Sequence, residues 1–183
     1  MKLTAIDRTH LLFEDAKLIF CNFAGNPGKM NEKGKRNFKV IIDNPEAAQM
    51  LMDNKVRVKL MKKDREDDPD WWTCKVIVNF DGDYPPRIKT VTSKKIEKLG
   101  KETVGDLDKR GAVHHTKFEV NLSRYDDTQL GCTMNCMYLV SMKAYLNESW
   151  FDDDDDDEVY QAPIPELEPA VSGAWPEDDD IPF

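Results

Sequence analysis

No stretch of the chain comes near the run of about 18 apolar residues that a membrane-spanning helix requires. The opening residues, Met1-Lys2-Leu3-Thr4-Ala5-Ile6-Asp7-Arg8, hold no apolar signal core, so export is not expected. Four cysteines in 183 residues are too few for a disulfide framework, and free thiols in a reducing cytoplasm are the simplest reading. Nine Gly and ten Pro exclude a collagen-like chain and a wholly disordered one. Missing too are GxxxxGK[ST], HExxH and GxSxG, and no nucleophile stands with an evident base. Neither an enzyme nor a bound cofactor is expected. The length allows one domain with a real core plus an appendage.

The net charge of −9 hides a division. Residues 152–183 contain 13 acidic residues and no Lys, Arg or His; residues 1–151 contain the other 22 acids and all 26 basic residues. The body is therefore +4 and the tail −13. Such asymmetry points to a polyanion-facing domain with an acidic arm. Six consecutive Asp (Asp152 to Asp157), five prolines and few apolar residues make 151–183 a disordered segment by composition. Its end differs in kind. Asp178-Asp179-Asp180-Ile181-Pro182-Phe183 sets apolar side chains and a carboxylate behind acids, which suits capture by a basic-rimmed pocket.

The body, residues 1–150, reads mainly as strands. Residues 16–25 (with Ile19, Phe20 and Phe23), 36–43, 56–62, 71–80, 87–92, 116–122 and 133–146 are strand candidates. In 56–62, Val56, Val58 and Leu60 point one way and Arg57, Lys59 and Met61 the other. In 71–80, Trp72, Cys74, Val76, Val78 and Phe80 face a core, while Trp71, Thr73, Lys75, Ile77 and Asn79 face out. Asn44-Pro45 is an N-cap with proline at the first helical position, opening a short helix over 46–53 with Ala47, Met50 and Leu51 on one face. Residues 94–110, broken by Gly100 and Gly105, read as helix or loop. Six or more short strands with one or two short helices predict a small, largely antiparallel β-barrel or sandwich.

One outward constellation stands out. Arg57, Lys59, Trp71 and Lys75 share the outer side of two strand candidates. Lys29, Lys33, Lys35, Arg36 and Lys39 lie in or beside the preceding loop, and Arg87 and Lys89 add to them. Exposed tryptophan among cations suits stacked bases with Lys and Arg following the phosphates. Stacking falls to Trp71, and to Phe38 or Tyr84; the parity of Phe38 with Val40 and Ile42 points instead to the core. Cys132, Cys136, His114 and His115 invite a zinc reading. A CxxxC spacing on a strand without a second Cys pair favours reduced thiols, and no metal is expected. The acids Asp64, Glu66, Asp67, Asp68 and Asp70 fall in one loop among Lys62, Lys63 and Arg65 and read as a solvated loop.

Two resemblances rest on these residues. The closing Asp178 to Phe183 resembles the C-terminal tip of bacterial single-stranded DNA-binding proteins, whose tip recruits replication, recombination and repair proteins. The body resembles a family of bacteriophage single-stranded DNA-binding proteins. The resemblance is carried by Asn22-Phe23, the polar loop, Arg36-Asn37-Phe38, the Asn44 to Asp53 helix, the Phe80 to Thr92 segment with Pro85-Pro86, and Lys143-Ala144-Tyr145-Leu146. It implies an OB fold over 1–150; pattern alone reaches only a small barrel. The combined expectation is a non-enzymatic protein of the bacterial host cytoplasm. It coats single-stranded DNA largely without sequence preference, through Lys35, Arg36, Phe38, Arg57, Lys59, Trp71, Lys75, Tyr84, Arg87 and Lys89. It recruits partner proteins through Asp178, Asp179, Asp180, Ile181, Pro182 and Phe183. The alternative is an acidic-tailed interaction protein or DNA mimic that binds basic proteins.

Overall fold

The computed structural model describes residues 1–28, 31–61, 69–93, 95–109, 115–128 and 130–146. The acidic tail and its tip, the acids Asp64 to Asp68, Lys29 and His114 lie outside the described residues. Nine strands and two helices occur among those described, in the order β1 (Lys2–Ala5), β2 (His10–Asn22), β3 (Arg36–Ile42), α1 (Pro45–Asp53), β4 (Val58–Leu60), β5 (Trp72–Val78), β6 (Arg87–Thr92), β7 (Lys95–Leu99), α2 (Asp106–Lys109), β8 (His115–Asp127) and β9 (Cys132–Tyr145).

Five strands close on themselves. β2 pairs with β3, β3 with β5, β5 with β9, β9 with β8, and β8 returns to β2. All these pairings are antiparallel except β5–β9. That is a five-stranded OB-type barrel. β1 adds to β2, β4 adds to β5, and the β6–β7 hairpin continues alongside β9, to which β6 is parallel.

Alternation drives the closure. Leu11, Phe13, Leu18, Phe38, Val40, Ile42, Val76, Phe118, Val120 and Met142 are all buried and fill the interior. Phe118 is the pivot. It stacks on Phe13 at a centroid distance of 4.6 Å and meets Phe38 edge-on at 5.5 Å, while Phe38 touches Phe23 at 5.4 Å. The helix begins as its sequence dictates: the Asn44 side chain accepts the Glu46 N–H at 2.9 Å, with Pro45 next. Its buried face is Ala47, Ala48 and Leu51, with Met50 half-buried.

Several expectations are corrected. Residues 94–110 contain a strand, β7, and a single helical turn, α2, where helix or loop was expected. The Lys-Ile-Glu-Lys-Leu sequence of β7 favours helix locally, but pairing Leu99 with Ile88 buries both side chains. β2 starts six residues earlier than read, and β1 precedes it. Leu60, expected inside, is exposed because β4 is an edge strand beyond the barrel wall. Thr73, expected outside, is buried, its hydroxyl 3.5 Å from the Met61 sulfur. Among the described residues no helix is long and apolar enough to cross a membrane.

Candidate nucleic-acid interface

The outer surface of β3 and β5 is the part of the barrel wall that alternation leaves to solvent. Its side chains fall in three rows across the strands, within which Thr73 and Asn37 are buried. Lys59, Thr73, Ile41 and Lys17 form one row, from β4 to β2. Lys75, Lys39 and Ile19 form the next, and Tyr138, Ile77 and Asn37 the third. Lys39 and Lys75 are directly opposed. Like charges in that register repel, so an isolated sheet gains nothing from them, whereas a polyanion relieves the repulsion. Ile19, Ile41, Ile77 and Tyr138 stand half-buried among the cations.

Phe20 borders this surface and departs from the pattern. By parity it should follow Leu18 into the core. The β2–β3 register shifts between Ile19 and Asn22, however, and Phe20 adopts φ +50°. The bulge turns its ring outward, 65% exposed, with the Lys39 ammonium 5.1 Å from the ring centroid.

Residues 31–35, ahead of β3, form one wall of a 590 Å³ groove lined by, among others, Lys33, Lys35, Asn37, Lys75, Ile77 and Tyr138. The loop 23–35 is held from several sides. The Asn22 side chain donates to the carbonyls of Asn26 (3.0 Å) and Lys35 (3.2 Å) and accepts from the Asn26 N–H (2.9 Å). The Asp108 carboxylate of α2 accepts from the N–H groups of Phe23 (3.0 Å) and Ala24 (2.8 Å). Asn37 donates to the Asn31 side chain at 3.0 Å. Gly105 lies so close to Ala24 that a side chain there would sit 3.0 Å from the Ala24 Cβ. The single turn of α2 therefore clamps the base of the loop, and Lys33 and Lys35 are exposed on a fixed support.

β9 lines this groove through Tyr138, and a second surface runs from there along β8 and β9. Tyr125, Cys136 and Tyr138 share its outer side, since Ser123 pairs with Cys136 and Asn121 with Tyr138. Burial pushes up both the Tyr125 hydroxyl and the Cys136 thiol; nearby Lys75 opposes the latter. Tyr125 donates to the Asp127 carboxylate at 3.4 Å, and Arg57 lies 3.8 Å from the same group.

The residues expected at a binding site are thus dispersed. Lys59 and Lys75 lie on the face, Lys35 on the loop wall, and Arg57 at the β8–β9 end. Trp71 is half-exposed just before β5, with the parity of Thr73 and Lys75. Arg36 is a brace: it donates to the Phe23 carbonyl (2.8 Å) and the Lys101 carbonyl (3.3 Å) and covers the Phe80 ring at 5.6 Å. Phe38 is fully buried among Phe23 and Phe118, so no base can stack on it in the folded chain. Tyr84 is 93% exposed in the β5–β6 turn, and Arg87 and Lys89 lie on β6, next to β9 rather than β3. Sequence patterning gave Ile77 an outward position but did not mark Phe20 or Tyr138 as members of this surface. The β-propensity of Phe20 marks a strand but not the bulge that reverses it.

His115 sits opposite Tyr145, far along β8 from Cys132 and Cys136, with its ring nitrogen 2.6 Å from Asp15. Among the described residues no cluster of His, Cys, Asp or Glu is arranged to hold a metal.

Solved structures with a similar chain course include two of a single-stranded DNA-binding protein from bacteriophage Enc34. The C-terminal truncation has TM-score 0.46 and 10% identity, covering 80% of this chain and 96% of that one. The complex with single-stranded DNA has TM-score 0.45 and 10% identity, covering 76% and 88%. The single-stranded DNA-binding protein gp2.5 of bacteriophage T7 has TM-score 0.41 and 12% identity, covering 82% and 98%. No curated protein matches the chain. A family model described as "Putative phage ssDNA-binding domain" matches residues 2–180. Since that match spans nearly the whole sequence, the chain belongs to the phage single-stranded DNA-binding domain family.

Proposed function

We propose that the chain coats single-stranded DNA largely without sequence preference, with the outer face of β3 and β5 as its contact surface. The observation that carries this reading is the opposed Lys39–Lys75 pair flanked by Ile19, Ile77, Tyr138 and the everted Phe20. Cations there meet phosphates while rings and aliphatic side chains meet bases. Stacking on π-faces tolerates any sequence. Loop residues Lys33 and Lys35, with Lys59 on the face and Arg57 at the β8–β9 end, extend the positive surface. Trp71 supplies a further ring.

The biological setting belongs to the same proposal: phage DNA replication, recombination and repair in a bacterial cytoplasm. Asp178 to Phe183 serve as the recruiting tip for other proteins of that machinery. The 13 negative charges of 152–183 compete with DNA for the basic face, so their removal tightens binding, most at low salt. The DNA-mimic alternative asks for a body of evenly mixed charge, and the Lys39–Lys75 pairing favours the coating role instead.

Four tryptophans make the test direct. Fluorescence titration with single- and double-stranded oligonucleotides is expected to show tight, salt-dependent binding of the single strand. The logarithmic salt slope should be about −0.7 per phosphate neutralised. Indifference to single strands at low salt would overturn the reading. For the tip, removal of Ile181-Pro182-Phe183 is expected to leave strand affinity unchanged and to abolish capture of replication and repair proteins from a bacterial lysate. Identical captured sets would reduce the tip to an acidic end.

A further inference from the structure

Away from β3 and β5, the sheet carries a second charged feature. Lys117 on β8 is opposite Lys143 on β9, Lys143 is opposite Lys89 on β6, and Lys89 is opposite Lys98 on β7. Four neighbouring strands thus present four lysines in one register row. The residues on either side are buried: Thr116 and Phe118, Met142 and Ala144, Ile88 and Thr90. The side chains of Lys117, Lys143 and Lys89 therefore share the outer face, and Lys98 joins them because its neighbour Leu99 is buried against Ile88. With strands about 4.8 Å apart, the row spans roughly 14 Å.

The same sheet shows what neutral patterning looks like. On β1, β2 and β8 the outer face alternates in sign: Lys2 lies 3.6 Å from Glu14, and Glu14 lies 3.0 Å from Lys117. Beyond Lys117 the alternation stops and three more lysines follow. Directly opposed like charges are unfavourable in an unliganded sheet, and a bound polyanion turns that cost into attraction. The next row toward the end of β9 is His115, Tyr145, Val91 and Ile96, with Ile96 67% exposed. The row on the other side is Glu119, Ser141 and Arg87. Apolar and aromatic side chains beside lysines repeat the composition of the β3–β5 face.

Resting on the coating function proposed above, we infer that the Lys117–Lys143–Lys89–Lys98 row is a second phosphate-backbone site, engaged by the single strand after it leaves the β3–β5 face. Continuity supports the strand as occupant. Tyr138, on the first face, and Lys143 lie on one strand about five residues, or roughly 16 Å, apart. Arg87 and Ser141 occupy the intervening register. A short oligonucleotide fills the first face alone; a longer one also reaches the lysine row.

The test compares the full chain with K98E/K143E, both exposed positions, on strands of about 6 and about 20 nucleotides across a salt series. For the long strand the salt slope should become shallower by about 1.4, and affinity near 0.1 M salt should fall on the order of tenfold. Binding of the short strand should be unchanged, which also shows that the variant is folded. Restored charge alternation should keep or raise the melting temperature. Equal losses on both lengths, or no change on the long strand, would overturn the row as a separate site. Binding of a hexa-aspartate peptide that K98E/K143E abolishes while its DNA behaviour stays normal would reassign the row to acidic polypeptides and also overturn it. If the unaltered chain bound neither strand, the coating function itself would fall, and the second site with it.

Discussion

Two surfaces of the same two strands differ in almost every property. On the inner side of β3 and β5 stand Phe38, Val40, Ile42, Cys74, Val76 and Val78, all buried. On the outer side stand Lys39, Ile41, Lys75 and Ile77, in alternate positions of the same backbone. The inner set is chosen for volume and the outer set for charge and flat apolar area. A strand's period of two lets both requirements be met without compromise. It follows that fold stability and strand affinity should be separable by substitution along a single strand.

The sharpest way to break that separation is Phe38→Ala. The ring is fully buried and touches both Phe23 and Phe118, so truncation should cost about 3–5 kcal/mol in denaturant unfolding. Binding by the fraction still folded should match the unaltered protein. Loss of affinity without loss of stability would mean that the inner and outer sets are confused. On the outer side, Trp71→Ala should lower single-strand affinity by about 1–3 kcal/mol while the melting temperature barely moves. Fluorescence anisotropy with a labelled strand reads this directly, and normal binding would remove Trp71 from the face.

Further from both surfaces, Asn44→Ala should cost about 1 kcal/mol of stability through loss of the helix N-cap and leave affinity alone. Urea melts and a binding titration on the same sample give both answers. The smallest perturbation is chemical labelling of thiols. Burial pushes Cys74 and Cys21 up to about 12, so little thiolate exists at pH 8, and both should react only on unfolding. Exposed Cys132 should react first. Cys136, half-buried on the same side of β9 as Tyr138 and with its thiol pushed up by burial, should react more slowly and be shielded by bound strand. Equal protection of Cys132 and Cys136 would move the strand toward the hairpin tip.

The inner surface was the more legible in sequence. Strict alternation in residues 71–80 and 116–122 marks core positions because burial follows parity, and Asn44-Pro45 marks a helix start by its local chemistry. Long-range pairing was less visible. Lys95–Leu99 has the composition of a helix and becomes a strand because β6 offers a partner. The candidate face was legible in part: Lys59, Trp71 and Lys75 follow from alternation, whereas the opposed Lys39–Lys75 pair requires knowledge of register. Arg36 shows the converse. Its charge reads as a ligand contact, and while lining the groove it also braces the fold through two backbone carbonyls and the Phe80 ring. Charge alone does not tell a contact from a support.

Phe20 leads somewhere else. A phenylalanine at φ +50° occupies a backbone region that costs a bulky side chain about 1–3 kcal/mol, and glycine or asparagine would relieve much of that. The chain therefore keeps, at this position, a residue that makes it melt sooner than it need. In a screen for heat resistance run without any DNA, Phe20→Gly and Phe20→Asn should emerge as winners, and the same clones should be the poorer coats for a single strand. On the contact surface proposed above, thermal selection would thus erode strand binding from this bulge outward.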